Sequence, residues 1–252
     1  MPSLGKKPAT SSPHDLTFAM VTGLVPQAPP ADTSNIRLLG AYRMLGNDVA
    51  GDCVFAGGCH EHMLWKRLSG TTSRVARDLF TDQTALADYS AVTGYTPADP
   101  STDQGTDVRV AMAYRRRTGL VDVHGVRHKI AAFVSIPHTS TDKIRQGVHL
   151  FDAVGIGFQF PRSAMDQFAH GQPWTLVAGS PIDGGHYVPV IGYDTKWLYV
   201  VTWGQIQRMA WDFAGHYLDE AWGVLSPEFL ISGKSPDGFS LLALKSYLAK
   251  LA

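Results

Sequence analysis

The period of the apolar positions changes along this chain. In CVFAGGCHEHMLWKRL, residues 53–68, Val54, Phe55, Met63, Leu64, Trp65 and Leu68 supply a helical set of apolar contacts, and Asp52 stands where an N-cap is expected. The pattern predicts a helix over 53–68. Gly57 and Gly58 inside it each cost about 1 kcal/mol relative to alanine, so they predict a buried helix with another backbone pressed close. Residues 73–92 read as helix in two pieces, 105–117 as a helix ended by Gly119, and 141–151 as another. KIAAFVSI at 129–136 reads as a strand broken by Pro137, and AVGIGFQF at 153–160 alternates as a strand does. HYVPVIGYD at 186–194 and KWLYVVTWG at 196–204 predict a hairpin turning at 194–196. RMAWDFAGHYLDEAWGVLS adds at least two short segments, and 238–251 closes the chain as an amphipathic helix. Helices come first and strands second, an α+β arrangement.

Residues 1–34 break this regularity. Pro26, Pro29 and Pro30 block regular structure, and the segment reads either as a mobile tail or as a strap anchored by Leu16, Phe18 and Met20. The remainder, 35–252, reads as one domain with a helical lobe mainly in 45–120 and a β lobe mainly in 125–235.

Composition narrows the function classes. Lys+Arg and Asp+Glu both number 22 in 252 residues, so no excess positive charge is available for phosphates or for an anionic membrane surface. No stretch approaches the roughly 18 apolar residues of a membrane span. The apolar run Phe18–Val25 is short and stops at Pro26, so no secretory signal is expected and a cytoplasmic or virion-associated location is. The two cysteines, Cys53 and Cys59, imply neither a disulfide framework nor a zinc site.

Cys53 follows Gly51-Asp52 at the start of the predicted central helix. A helix N-terminus carries unpaired N–H groups and about half a positive charge, both of which favour a thiolate. That geometry predicts a depressed thiol pKa and makes Cys53 the more reactive cysteine. His186 follows Gly184-Gly185 and opens an apolar strand, 133 residues after Cys53. A cysteine and a histidine distant in sequence but close in space form an activated thiol.

With these two residues in place, the chain resembles the papain-like cysteine peptidases, in order along most of residues 40–225. Asn47, six before Cys53 in NDVAGDC, stands where that family has the glutamine that completes its oxyanion hole. FTDQTALADY at 80–89 resembles the family's Ser-Glu-Gln-x-Leu segment, and DKIRQGVHLFDAVGIGFQF at 142–160 its helix and strand before the histidine. QFAHGQPW at 167–174 sits where the family has Phe-x-x-Tyr-x-x-Gly. GGHYVPVIGYD resembles its Asp-His-Ala-Val-x-x-Val-Gly-Tyr-Gly, and VVTWG at 200–204 its Asn-Ser-Trp-Gly. The combination is also similar to that in bacterial and bacteriophage proteins with no assigned activity. The resemblance implies a papain-like fold, with the Cys53 helix packed against an antiparallel β-rich lobe. It implies attack by Cys53, proton transfer by His186, and Asn47 with the Cys53 N–H as oxyanion donors. It also implies a substrate surface that includes Gly185 and Trp203, the latter shielding the histidine.

There are departures. Asp52 and Val54 replace the serine and tryptophan that flank the family's nucleophile, and no asparagine follows to orient the histidine. Alignment from His186 puts Thr202 there, and alignment by the Trp-Gly pair puts Val201 there. Threonine is the better acceptor, with Gln205 a weaker candidate. His60 and His62, two apart on a helix, point about 200° from each other and cannot share one ion. Arg115–Arg117 reads as a solvated basic run at a helix end. Trp197, Trp203, Trp211 and Trp222 read as β-lobe core. The expected function is a thiol hydrolase acting on a peptide or related amide, with no cofactor or metal, and with a peptide or protein partner rather than nucleic acid or membrane. Two other readings stand beside it: an inactive papain-like module with a binding or structural role, for example in a phage particle, and an acyl- or amine-transferring enzyme.

Overall fold

The computed structural model of the protein describes residues 2–22 and 28–229; the expected helix at 238–251 lies outside them. In chain order the elements are α1 Phe18–Thr22, β1 Thr33–Ser34, α2 Cys53–Leu68, α3 Ser73–Arg77, α4 Asp82–Thr93 and α5 Val108–Arg117. There follow β2 Leu120–Val121, β3 Arg127–His128, β4 Ala132–Ser135, α6 Thr141–Phe151, β5 Val154–Pro161 and α7 Arg162–Ala169. The last are β6 Ile182–Tyr193, β7 Trp197–Thr202, β8 Gln205–Ala210, α8 Trp211–Tyr217 and β9 Leu218–Leu225. The helix expected over 53–68 has those bounds. Within the stretch expected to add at least two short segments, WDFAGHY forms the short helix α8 between β8 and β9.

One antiparallel sheet runs in the order β4-β9-β5-β6-β7-β8, with β1 also paired to β6. β6 is the long central strand, and it bulges between Val190 and Gly192. The bulge leaves the Ile191 carbonyl to accept the Asn35 N–H at 3.0 Å, which stitches the N-terminal segment to the sheet. The turn between β6 and β7 is built on Asp194, whose carboxylate accepts the N–H groups of Lys196 and Trp197, both at 2.7 Å.

Helix α2 stands between this sheet and α3, α4 and α5, and every residue from Cys53 to Trp65 is buried. Its two glycines admit side chains, where backbone contact was expected. A Cβ on Gly57 would lie 2.7 Å from the Tyr187 ring on β6, and one on Gly58 3.2 Å from the Arg115 guanidinium. Arg115 is itself buried, which corrects its expected place on a solvated face. It donates from Nη2 to Glu61 Oε2 at 2.7 Å, and Tyr187 donates its hydroxyl to Glu61 Oε1 at 3.0 Å. The run of three arginines hides this because only the first turns inward.

The described part of residues 2–34 is a strap. Leu16 and Phe18 pack on the core, with Phe18 edge-on to Phe151, and the Ser135 N–H donates to the Leu16 carbonyl at 2.7 Å. Among the described residues no helix is long and apolar enough to cross a membrane.

Gly57 yields a test of the packing. Alanine there favours the helix by about 1 kcal/mol, but its methyl overpacks a ring already tethered by Glu61, at a cost of about 1–3 kcal/mol. Gly57→Ala is therefore expected to lower the denaturant midpoint without changing its slope. A raised midpoint would show that the Tyr187 ring yields freely.

Candidate active site

The turn before α2 presents Cys53. Leu45 and Gly46 take positive φ values of 60° and 86°, and Asn47 Nδ2 donates to the Ala50 carbonyl at 3.1 Å. The Gly51 N–H donates to Asp103 Oδ2 at 2.8 Å, and the Tyr89 hydroxyl bonds the other Asp103 oxygen while accepting the Gly105 N–H. Asp103 and Tyr89 carry no signal in the sequence, yet they hold this turn. Asp52 precedes the helix but its side chain makes no cap bond, because its φ and ψ of −94° and 16° depart from the extended geometry capping requires. Neither buried carboxyl oxygen completes a hydrogen bond of good geometry, and burial raises its pKa well above the ordinary carboxylate range against the opposing pull of the nearby Asn47 side chain.

His186 lies on β6 opposite Phe158 of β5. Its Nε2 is 2.7 Å from Thr202 Oγ1, and its Nδ1 is buried with no hydrogen-bond partner. Of the three candidates for a ring partner, Thr202 makes the bond, Val201 pairs with Ile206 across β7–β8, and Gln205 is exposed. Trp203 stacks on the imidazole with centroids 4.5 Å apart and planes at 23°, while Phe158 and Phe160 meet it edge-on. Trp203 and Gly204 have φ values of 46° and 76° and form a two-residue loop between the paired residues Thr202 and Gln205. Hairpin loops of this length favour two positive φ values, but a bulky residue in that region is strained.

The helix and the strand meet at Cys53. The backbone N–H groups of Tyr187, next to His186, and of Gly5 from the strap lie near enough to the sulfur to favour its thiolate. Residues 3–7 bridge the turn before α2 and the strand β6. The Ser3 N–H donates to the Asn47 carbonyl at 2.8 Å, and the Gly5 and Lys6 N–H groups share the Gly185 carbonyl at 3.2 and 3.0 Å. Trp203 Nε1 donates to the Ser3 carbonyl at 3.4 Å, and the Thr106 N–H to the Gly5 carbonyl at 2.7 Å. Lys6 Nζ is held between Asp219 Oδ2 at 2.8 Å and Glu220 Oε1 at 3.1 Å. The fit depends on glycine: a Cβ on Gly5 would lie 1.7 Å from the Gly51 carbonyl oxygen, and one on Gly185 2.3 Å from the Lys6 oxygen. This seating of the strap is absent from the sequence reading. Its trace in the sequence is glycine at positions 5, 51, 105, 184 and 185, far apart along the chain but together in space.

Closure reverses the expected acidity of the thiol. Burial pushes Cys53 up to about 12, against the N–H groups that favour the thiolate, and Asp52 adds to the rise. Burial also takes His186 down to about 3. A helix terminus contributes about 0.3–2 kcal/mol, whereas burying an unpaired charge costs several kcal/mol. With the strap in place both groups are therefore neutral across the neutral pH range.

No protein-family model matches the chain, and no curated protein matches it. Solved structures do. Xylellain, a cysteine protease from Xylella fastidiosa, superposes with a TM-score of 0.67 over 89% of this chain and 96% of its own, at 12% identity. The Carica candamarcensis cysteine protease CMS1MS2, solved with E-64, gives 0.55 over 78% and 99%, at 16% identity. A structure from work on the mite allergens Blo t 1 and Der p 1 gives 0.52 over 86% and 75%, at 14% identity. The fold is papain-like. Within that fold α2 is the long central helix, and β6 on the facing sheet carries His186.

The remaining polar residues of α2 serve different surroundings. His60 bonds the Arg43 carbonyl through Nε2 at 2.8 Å and meets Tyr42 edge-on, whereas His62 turns toward His128. Glu61 lies between them in the pair with Arg115.

The closed geometry predicts the pH dependence of labelling. Below a thiol pKa of about 12 the thiolate fraction rises about tenfold per pH unit. Alkylation of Cys53 by iodoacetamide in the full chain is expected to be slow and to climb from pH 7 to 10 without a plateau. A plateau inside that range would contradict the closed state.

Proposed function

We propose that the protein is a thiol hydrolase that cleaves a peptide or related amide bond, held closed by its own residues 3–7. The observation that carries this reading is the polarity of the His186 ring: Nε2 is committed to Thr202 and Nδ1 is bare, on the strand whose next N–H lies near enough to the Cys53 sulfur to favour its thiolate. Once the strap leaves and water enters, desolvation falls and Nδ1 can take the thiol proton. The thiolate attacks the substrate carbonyl carbon, and the oxyanion rests on the Cys53 N–H and the Asn47 amide, whose second N–H is not used on Ala50. His186 returns the proton to the leaving amine. Water then hydrolyses the thioester, with the same ring as base. Gly185 and Trp203, which bond the strap backbone, are the positions proposed to hold a substrate backbone in its place. This chemistry uses the chain's own side chains and calls on no cofactor.

A second reading has support of its own: with the thiol near 12 and the imidazole near 3, the closed protein suits a non-catalytic module, such as a component of a phage particle.

Gly5→Ala separates the two readings in the full chain, because its methyl collides with the Gly51 carbonyl and expels the strap. It is expected to raise Cys53 alkylation at pH 7 by more than about tenfold. It should also release hydrolysis of a mixed peptide library that Cys53→Ser in the same background abolishes. Fast labelling with no hydrolysis would favour the non-catalytic module.

The role of Thr202 is tested in the same open variant. Thr202→Val removes a hydrogen bond worth about 1 kcal/mol, so turnover should fall roughly fivefold. Thr202→Asn should match or exceed the threonine, since its amide oxygen is a second type of acceptor at the same place. Two silent substitutions would remove Thr202 from the mechanism.

A further inference from the structure

At the far end of α2 from Cys53, His62 of α2, His128 of β3 and Glu228 of the 3-10 turn Pro227–Phe229 converge. One ligand atom from each lies within 4.8 Å of the other two. His62 Nδ1 is 2.9 Å from Glu228 Oε2, and His128 Nδ1 contacts Glu228 Oε1. On its other side His128 Nε2 is 3.0 Å from Asp122 Oδ2. Asp122 cannot turn away, because its Oδ1 accepts the N–H groups of His124 and Val126, both at 2.8 Å. Trp65 stands edge-on to His62, and Phe80 is packed against both imidazoles.

Without metal, an imidazolium at His128 donates to Asp122 and to Glu228 at once, and a divalent cation can take the place of its Nδ1 proton. Asp122 fixes the His128 tautomer with its N–H at Nε2, so a neutral ring turns its Nδ1 lone pair toward the carboxylate of Glu228. Two lone pairs then face each other in a largely buried place. A divalent cation between them removes the conflict, since both Nδ1 atoms and one Glu228 oxygen become ligands. It also balances the two carboxylates. The donor set of two imidazoles and a carboxylate suits zinc, and an imidazole whose second nitrogen donates to a carboxylate is the usual outer-shell arrangement at such sites. Ligand distances of about 2.0–2.2 Å require the 2.9 Å contact to open by a few tenths of an ångström and the closer His128–Glu228 contact by more, which a turn of the Glu228 side chain supplies. Lys66 Nζ, 3.4 Å from Glu228 Oε1 and partly exposed, can swing into solvent.

We propose that His62, His128 and Glu228 bind a zinc-class divalent cation, with Asp122 orienting His128, and that the ion clamps the segment after β9 to α2 and the β2–β3 hairpin. The pairing was not visible in the helix sequence, where His62 stood beside His60. Its true partners lie 66 and 166 residues further on.

The test uses the full chain carrying Cys53→Ser, which removes one thiol that would compete for metal. Cobalt(II) chloride is expected to give visible d–d absorption saturating at one equivalent, and zinc chloride to bleach it. Zinc should also raise Tm in a concentration-dependent way. Asp122→Asn is expected to weaken cobalt binding by roughly 10–100-fold, and Glu228→Gln to abolish the saturable band. Should Glu228→Gln fail to fold, the Asp122→Asn titration decides alone. The proposal is overturned if no saturable absorption appears, or if these variants bind cobalt as the parent does. Either result would leave a doubly protonated His128 bridging two carboxylates.

Discussion

The structure turns on a buried ion pair, Glu61 with Arg115, to which the Tyr187 hydroxyl is added. These three groups come from α2, α5 and β6, so the contact joins the helical layer to the sheet at a single point. Losing one partner from such a pair strands a buried charge, at a cost of about 3–5 kcal/mol. Geometry depends on it as much as stability does. Tyr187 follows His186 on β6, and Gly57 gives its ring room one turn after Cys53. A slip of one residue in β6 would turn His186 to the other face of the sheet and break the Tyr187–Glu61 bond. The register that secures the core is thus the register that aims the imidazole.

Under the proposed function, the strap acts by changing solvation rather than by rearranging the site. Thr202 and Trp203 already hold the His186 ring, and the turn before Cys53 is already braced by Asp103 and Tyr89. What the closed state withholds is water. Lys6 secures this closure with its ammonium between Asp219 and Glu220, and Gly157 leaves room for it: a Cβ there would lie 2.1 Å from Lys6 Cε. Burial raises the pKa of Glu220, and Lys6 opposes that rise.

What could be read from the sequence follows the range of the forces involved. The bounds of α2 were legible because apolar spacing and the polar turn before it are local. The placement of Thr202 beside His186, though not its role, was legible because hairpin geometry links residues only 16 apart. The acidity of Cys53 was misjudged in sign, since the helix terminus is a local feature and burial by the packed fold is not. Arg115 was misplaced for the same reason: its partner lies 54 residues away in another helix. The Asp52 cap failed because the backbone before α2 is shaped by Asp103, half a lobe distant in sequence. In each case the missing information was a contact between segments that no periodicity connects.

The Trp203-Gly204 loop shows how a broken local rule marks the site. A two-residue hairpin with both φ values positive is built most cheaply from asparagine and glycine. This chain places a tryptophan at the first position, where a bulky side chain costs on the order of 1–3 kcal/mol. The hairpin itself does not require that choice, because a smaller residue would close it, but the indole also packs in the core against Phe160, Phe168 and Trp174. The strain turns the indole flat against His186 and directs its N–H to the strap backbone at Ser3. Thr202, the last residue of β7, is held immediately before this loop, with its hydroxyl at the ring's other nitrogen. One strained turn therefore supplies both the cover and the hydrogen bond that fix the imidazole, which accounts for keeping it where local propensity argues against it.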